Sequence, residues 1–580
     1  MTASSARHTR LQAGFGLGQA FLQAWHGWRQ ASDRPTRLDF IALTPAPPEA
    51  AALRDAHAGS ALQPLAEALA AQWPPRTRNL HRLCFDGGKV HLLLAVGEPI
   101  ALLPELRATV DEFLVDELAL AGDPARAAAR LCKGLARLAA PGARLHAVAA
   151  PPMLRPALAA AGFVLDPAPG EIRAAYRPRF VPRGRGPRHP GDAHRHALIV
   201  GAGLAGCATA AALAEQGWRC TLVERCGAPA QEGSGNPAGL FHGIVNPQDG
   251  AHARFNRAAA LAAHRAVQQA IADGTARGSA QGLLRLETGG KLASRMRAEL
   301  QALQLPPDYV QALDAAQASA LCGLPLQHPA WFYPGGGWVQ PAALSRALLQ
   351  HAGTAAEFRG GLQVQALRRD GERWQLQDDA GQVIAESATV VLANAGDALR
   401  MLGAAHWPLK SVRGQISLAP ASALRLPRLP LAGAGYLLPD IGGLAVFGAS
   451  ARPGDEDPLV RKADHLYNLR RLQQLSPQAL PAGSLQGRVG WRCVADDRLP
   501  LLGAAPDEAA VRPRAERLRD VPRRPGLYLF TGLASRGIAW SVLGGQVLAA
   551  VISGAPVPLE APLVDAIDPA RFALRAARRG

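Results

Sequence analysis

Apolar positions along the chain switch between two periods. Short apolar runs at 38–43, 90–94, 110–115 and 145–149 read as strands, and helical patterns at 62–71, 124–138 and 153–161 separate them. Strands alternating with helices predict a doubly wound α/β sheet. A second pattern opens later, with the apolar run 196–200, a glycine-rich turn, a helix to 216 and another apolar run at 220–224. A long Ala-rich helix is predicted over 251–272. Residues 362–367, 374–376 and 389–392 alternate like antiparallel strands, and 527–530 with 541–552 read as a final strand and helix.

Between the two patterns lies a run of Pro, Gly and Arg without apolar periodicity, residues 177–190, which reads as an extended linker. At 580 residues the chain is too long for a single core, and 48% hydrophobic content excludes disorder. Seven cysteines, unevenly spread, form no disulfide framework, and neither they nor the histidines show metal-ligand spacing, so no metal is expected. The first residues carry no apolar core of a secretory signal, which predicts a cytoplasmic protein. The uncharged stretch 197–214 is about long enough to cross a bilayer, but its glycines point elsewhere, and no membrane association is expected.

Gly201, Gly203 and Gly206 form G-x-G-x-x-G directly after an apolar strand and at the start of a helix. The first permits a tight turn, the second lets backbone approach a pyrophosphate, and the third lets helix and strand pack closely. Glu224 follows Gly201 by 23 residues, at the end of the next strand, where a carboxylate accepts hydrogen bonds from ribose hydroxyls. Ser234, Gly235 and Asn236 then resemble the Ser-rich loop of flavin-dependent amine and amino-acid oxidases. Gly532, Ser535 and Gly537 make a late strand–turn–helix similar to the one that places a second helix N-terminus near the isoalloxazine. Both ends of one flavin domain favour FAD. The resemblance is to the glycine-oxidase and D-amino-acid-oxidase superfamily and spans roughly 196–580. It implies a Rossmann-type FAD part at 196–290 and 486–580, with a mixed-sheet substrate part at 291–485.

Six segments narrow the resemblance: Ser234-Gly-Asn-Pro-Ala-Gly239, Tyr333-Pro-Gly-Gly-Gly-Trp-Val-Gln-Pro341, Val412-Arg-Gly-Gln-Ile416, Phe447-Gly-Ala-Ser450, the stretch from Gly490 to Gly503, and Gly532-Leu-Ala-Ser-Arg-Gly537. In this order they resemble the MnmC family, bifunctional enzymes of tRNA 5-methylaminomethyl-2-thiouridine biosynthesis. The resemblance implies a FAD-dependent oxidoreductase that removes the carboxymethyl group from a carboxymethylaminomethyl wobble uridine. A methyltransferase domain using S-adenosylmethionine then methylates the amine. It also implies that Arg492 and Arg536 hold the substrate carboxylate, a task that suits the planar guanidinium. Arg413 is a third candidate, and Tyr436 and Trp338 are candidate pocket walls.

Residues 1–177 form the first domain, and from about residue 11 to 177 it resembles the methyltransferase half of the same family more weakly. Gly14, Gly16 and Gly18 match its S-adenosylmethionine loop, and Val110 to Asp116, Pro141-Gly-Ala and Ala160-Ala-Gly-Phe163 follow in order. The departures are specific. Gln12 stands where the family has Glu, Thr44 where an acid ends the second strand, and only the Asp and the last Pro of the family's Asp-Gly-Phe-x-Pro-x-x-Asn-Pro segment remain in 116–124. The chain also reaches its glycine loop without leading strands. These departures predict a weakened cofactor site and leave two readings open: a working methyltransferase, or a degenerate fold kept to dock tRNA.

Charge enters last. The chain carries 63 basic against 46 acidic residues, net +17, but Lys stands only at 89, 133, 291, 410 and 462, so much of the excess is a bias toward Arg. Candidate tRNA-facing clusters are Arg177, Arg179, Arg183, Arg185 and Arg188, the stretch 512–524, and Arg571, Arg575, Arg578 and Arg579. The partner expected is the tRNA anticodon region, met by a monomer. The competing reading is a free amino-acid or amine oxidase of the same fold with no RNA partner.

Overall fold

A computed structural model describes residues 7–115, 123–148, 151–168, 170–179, 195–478, 480–511 and 516–578. The chain forms two compact units, Met1–Pro190 with Ala549–Pro562, and Gly191–Leu548 with Leu563–Gly580. Of the candidate linker only residues 177–179 are seen, because 180–194 lie outside the described residues, as do 116–122 of the altered methyltransferase segment.

The smaller unit is built on an eight-stranded sheet in the order Leu80–Phe85, Val90–Val96, Leu38–Thr44, His8–Ala13, Val110–Val115, Ala139–Ala147, Ile172–Tyr176, Phe163–Leu165. The strands from Val90–Val96 to Ala139–Ala147 run parallel, with antiparallel strands at both edges. Parallel strands covered on both faces are apolar throughout, and Leu38–Thr44 shows it: Phe40 and Ala42 enter one core, Ile41 and Leu43 the other. Helix Gln19–Gln30 packs on the first face through Phe21, Leu22 and Trp25; helix Pro124–Leu138 packs on the second through Leu131 and Leu135.

One expectation is overturned. The glycine loop does have a leading strand, His8–Ala13, and that strand is central, paired with both Leu38–Thr44 and Val110–Val115. Its polar residues hide it from a hydrophobicity pattern, and the fold satisfies them across the sheet. Arg10 pairs with Glu112 (2.6 Å), and the Thr9 amide donates to Asp111 (2.9 Å).

The larger unit contains a six-stranded sheet in the order Ala356–Arg359, Arg219–Val223, His196–Val200, Thr389–Leu392, Arg523–Thr531, Leu501–Pro506, parallel except for the last strand. A nine-stranded mixed sheet is dominated by Leu409–Pro420 paired with Gln486–Ala495. The division at 290/291 and 485/486 therefore needs correction. Ala356–Arg359 and Thr389–Leu392 belong to the dinucleotide-type sheet, while Leu283–Leu286 and Gln486–Ala495 belong to the mixed one. Thr389–Leu392 is not one of the antiparallel strands expected there. Its residues are all buried, and a wholly apolar run fits the middle of a parallel sheet. The antiparallel ribbon beside it is Ala366–Asp370, Arg373–Gln377 and Val383–Ser387.

Candidate active site

Strand His196–Val200 ends at Gly201, whose amide donates to the Val223 carbonyl at 2.8 Å. Gly201 has φ +99°, and a Cβ there would lie 2.9 Å from the Ala393 oxygen. At Gly206 a Cβ would fall 1.9 Å from the Gly201 oxygen, so helix Leu204–Glu215 can lie against the turn only without a side chain. Gly203 precedes that helix, and a Cβ there would lie 3.1 Å from Ser234 Oγ. Ser234 Oγ accepts the Leu204 amide at 3.1 Å. Glu224 accepts the Ala202 amide on Oε2 (2.8 Å) and the Cys226 amide on Oε1 (3.0 Å). A carboxylate fixed this way keeps lone pairs for ribose hydroxyls, beside a helix N-terminus suited to an anion. The predicted glycines, Glu224 and Ser234 thus come together in a cradle that fits a dinucleotide.

The late motif meets the early one. Strand Arg523–Thr531 turns at Gly532 (φ +74°) into helix Gly537–Ser553. A Cβ at Gly537 would lie 3.2 Å from Leu204 Cδ1, so the N-terminal ends of the two helices are neighbours. Ser535 is exposed in this turn. Gly235 and Asn236 are held by a residue the sequence reading missed. Arg488 donates to Asn236 Oδ1 (2.8 Å) and to the carbonyls of Gln231 (2.8 Å) and Glu232 (2.9 Å). No local pattern marks Arg488, which lies 252 residues from Asn236.

Arg492, on the mixed sheet, and Arg536, in the turn before helix Gly537–Ser553, have different neighbours. Arg492 donates to the Ser450 carbonyl (3.3 Å) and lies over Gly414, where a Cβ would come within 2.7 Å of its guanidinium. Burial lowers its pKa, and the neighbouring Tyr436 opposes that shift. Burial pushes Tyr436 up to about 12, with Arg492 opposing. Burial lowers Arg536 to about 10; Tyr333 and Tyr309 oppose this and Arg285 adds to it. Trp338 is partly buried on the short strand Gly337–Val339, opposite Leu240. Arg413 is corrected: it is fully buried, pairs with Asp464 (2.6 Å), and donates to the carbonyls of Asp457 (2.6 Å) and Leu459. It supports the fold and does not line a pocket.

In the smaller unit, Gly14, Gly16 and Gly18 all have positive φ (+108°, +52°, +78°) between strand His8–Ala13 and helix Gln19–Gln30. A Cβ at Gly14 or Gly16 would meet nothing within 4 Å, so one side of the loop is open. The loop lies where strand order reverses between His8–Ala13 and Val110–Val115, the place where open α/β sheets bind ligands. Thr44 ends the second strand, buried, and Gln12 is buried on the leading strand opposite Ala42. Asp123, at the edge of the altered segment, caps helix Pro124–Leu138 through the Ala125 (3.0 Å) and Arg126 (3.4 Å) amides.

The basic clusters divide. Arg177, Arg179, Arg517 and Arg519 are exposed, whereas Arg571 is buried and chelates Asp497 through Nε (2.8 Å) and Nη2 (3.0 Å). Arg575 shares Asp497 (3.0 Å), and Arg523 pairs with Asp568 (2.7 Å). The C-terminal cluster is therefore in part internal structure. Arg183, Arg185, Arg188, Arg512, Arg514 and Arg579 lie outside the described residues.

Fold and site together define a FAD-dependent oxidoreductase joined to a methyltransferase-type domain. The family of FAD dependent oxidoreductases matches residues 196–551, and that of S-adenosyl-L-methionine-dependent methyltransferases matches 60–173. The chain belongs to the MnmC family. It is 47% identical to the tRNA 5-methylaminomethyl-2-thiouridine biosynthesis bifunctional protein MnmC of Methylibium petroleiphilum, across 98% of this chain and 90% of that protein. It is 39% identical to the MnmC of Paraburkholderia xenovorans, across 99% and 91%. Among solved structures, glycine oxidase from Geobacillus kaustophilus shares the fold at 21% identity and TM-score 0.52, over 64% of this chain and 98% of that one. Iminodiacetate oxidase from Chelativorans sp. BNC1 does so at 21% and 0.50, over 64% and 98%. Among the described residues no helix is long and apolar enough to cross a membrane.

Proposed function

We propose that the chain modifies the wobble uridine of tRNA, removing the carboxymethyl group of 5-carboxymethylaminomethyl-(2-thio)uridine and then methylating the exposed amine to give 5-methylaminomethyl-(2-thio)uridine. The observation that carries this reading is the match to bifunctional MnmC proteins along nearly the whole chain, which spans both chemistries. FAD, when bound, accepts the hydride from the carbon between amine and carboxylate. Gly201, Gly203, Gly206, Glu224, Ser234 and Gly235 would hold it, with Gly532, Ser535 and Gly537 at the second helix N-terminus; Asn236, tied to Arg488, fixes the loop. The amine proton leaves with the hydride, and water adds to the resulting imine to release glyoxylate and the primary amine.

The protein's part is to bind, orient and exclude water. Arg492 and Arg536 supply the cationic lining for an anionic side chain. Gly14, Gly16 and Gly18 would hold S-adenosylmethionine, which would supply the methyl group that replaces a proton on the amine and leave as S-adenosylhomocysteine. Action as a monomer at the anticodon is part of this proposal. A tRNA substrate supports a cytoplasmic location, and hydride transfer with imine hydrolysis needs no metal ion. Mass spectrometry of tRNA nucleosides tests the reading. Loss of carboxymethylaminomethyl-uridine without S-adenosylmethionine, and methylation when it is added, are expected. Unchanged tRNA together with rapid oxidation of free glycine or sarcosine would establish the small-molecule oxidase instead.

A further inference from the structure

Helix Pro124–Leu138 of the smaller unit carries a face of cations and no acid. Arg126, Arg130, Lys133 and Arg137 are exposed, while Leu131, Leu135 and Leu138 are buried on the opposite face. The four cations recur at i, i+4, i+7 and i+11, the spacing that keeps side chains on one stripe of a helix. The stripe is about 16 Å long. Arg137 is turned back onto the unit, donating to the carbonyls of Leu103 and Leu106. Among the described residues, the side chains of Arg126, Arg130 and Lys133 make no ion pair and no hydrogen bond.

This arrangement opposes the stability of the helix itself. Like charges at i+3 and i+4 repel, and Arg126 with Arg130, Arg130 with Lys133, and Lys133 with Arg137 are all such neighbours. Arg126 also stands in the first turn, where the helix dipole disfavours a cation. The Asp123 carboxylate is taken by the Ala125 and Arg126 amides (3.0 and 3.4 Å). Elsewhere in the chain, exposed helical cations have acids beside them: Arg400 pairs with Asp397 (2.7 Å) and Arg295 with Glu299 (3.9 Å). A general bias toward Arg therefore does not account for this face. Nor can the helix enter a bilayer, because its apolar side is spent on the core of the unit. A row of exposed cations without internal counter-ions fits a polyanion whose charges also lie in a row.

The place of the stripe in the sheet narrows the choice of polyanion. Ala13 pairs with Val115, so the parallel strands His8–Ala13 and Val110–Val115 end at one edge. The first leads into the open glycine loop, and the second is followed at Pro124 by this helix. The stripe thus begins near the cofactor edge, with Arg126 in the first turn, and runs away from it. We infer that Arg126, Arg130 and Lys133 hold the sugar–phosphate backbone of the tRNA that presents its amine for methylation. The inference rests on the function proposed above. A modified base that reaches the open side of Gly14 and Gly16 leaves the rest of its RNA outside, along the flank of the unit. Charges on long side chains meet phosphates without reading base edges, so the stripe positions the RNA and does not select its sequence.

Filter binding of aminomethyl-uridine tRNA to the flavin-loaded full-length protein, across a salt series, tests it. The combined variant Arg126→Gln, Arg130→Gln, Lys133→Gln is expected to bind about ten-fold or more weakly near physiological salt. The slope of log Kd against log salt should fall by about 2–3. Affinity for tRNAs with other anticodons should drop equally. The charge-keeping variant Arg126→Lys, Arg130→Lys, Lys133→Arg should bind like wild type. In both variants flavin content, S-adenosylmethionine affinity and melting temperature should hold. In methylation by the Gln variant, KM for tRNA should rise with kcat kept. Unchanged affinity and salt slope in the Gln variant, or an equal loss in the charge-keeping one, overturns the inference. So does a Gln variant that loses only binding to anionic phospholipid vesicles, which would make the stripe a membrane contact. Wild type that binds tRNA through these three cations yet leaves its nucleosides unchanged would overturn the functional reading and leave the surface standing.

Discussion

The Ala202 amide donates to Glu224 Oε2 at 2.8 Å, so the carboxylate that ends the second strand of the dinucleotide fold also braces the glycine turn after the first. Its other oxygen accepts the Cys226 amide at 3.0 Å. Glu224→Gln turns one of these acceptors into a donor facing an N–H. The cost is about 1–3 kcal/mol, which corresponds to roughly ten- to hundred-fold weaker FAD binding. Flavin titration of the apoprotein measures it.

Gly206 tests the same cradle sterically. A Cβ 1.9 Å from the Gly201 oxygen cannot be accommodated without opening the turn. Gly206→Ala should purify without flavin, read as loss of the visible absorbance relative to protein. The smaller unit should keep its S-adenosylmethionine binding.

The loop of the smaller unit calls for a different substitution. Gly16 has φ +52° and open space where a side chain would point. Asn tolerates this backbone better than other residues, so Gly16→Asn should fold while its side chain intrudes on the cofactor side. S-adenosylmethionine affinity, measured by calorimetry on the full chain, should drop about ten-fold or more with flavin content unchanged.

Arg571 separates structural from tRNA-facing arginines. Asp497 is partly buried, which would raise its pKa, but hydrogen bonds and charge from Arg571 hold it below the usual carboxylate range. Arg575 still pairs with Asp497 once Arg571 is removed, so Arg571→Ala should lower stability by about 1–3 kcal/mol. The salt dependence of tRNA binding at a temperature where both proteins are folded should not change. Denaturant unfolding and filter binding check the two halves.

Acid stability should depend on Asp464. Burial would raise its pKa, but Arg452 (2.8 Å) and Arg413 (2.6 Å) lower it overall. A folded value below the unfolded one of about 3.9 contributes stability above that pH, and the contribution fades as pH falls through the folded value. Asp464→Asn should melt lower at neutral pH and show a flatter decline below about pH 4 in a series of thermal melts.

The dinucleotide site was legible because its parts are contiguous. Strand, glycine turn, helix, strand and acid occupy 196–224, and each glycine's role follows from local backbone geometry. The linear pattern also marked the Pro124–Leu138 and Ala251–Ala272 helices, whose apolar positions recur at helical spacing. It missed strand His8–Ala13, because an alternation of His, Thr, Arg and Gln reads as surface until Glu112 and Asp111 stand beside it.

What the sequence alone determined about this protein is the flavin chemistry and its cofactor cradle, since glycine turns and helix starts are set within a few residues. Tertiary structure alone decided which arginines are free to meet a substrate. Arg413 and Arg571 read like Arg492 and Arg536 in the chain, yet the first two are neutralised by Asp464 and Asp497. Charge pairing depends on which distant strands the sheets bring together, and no local period encodes that.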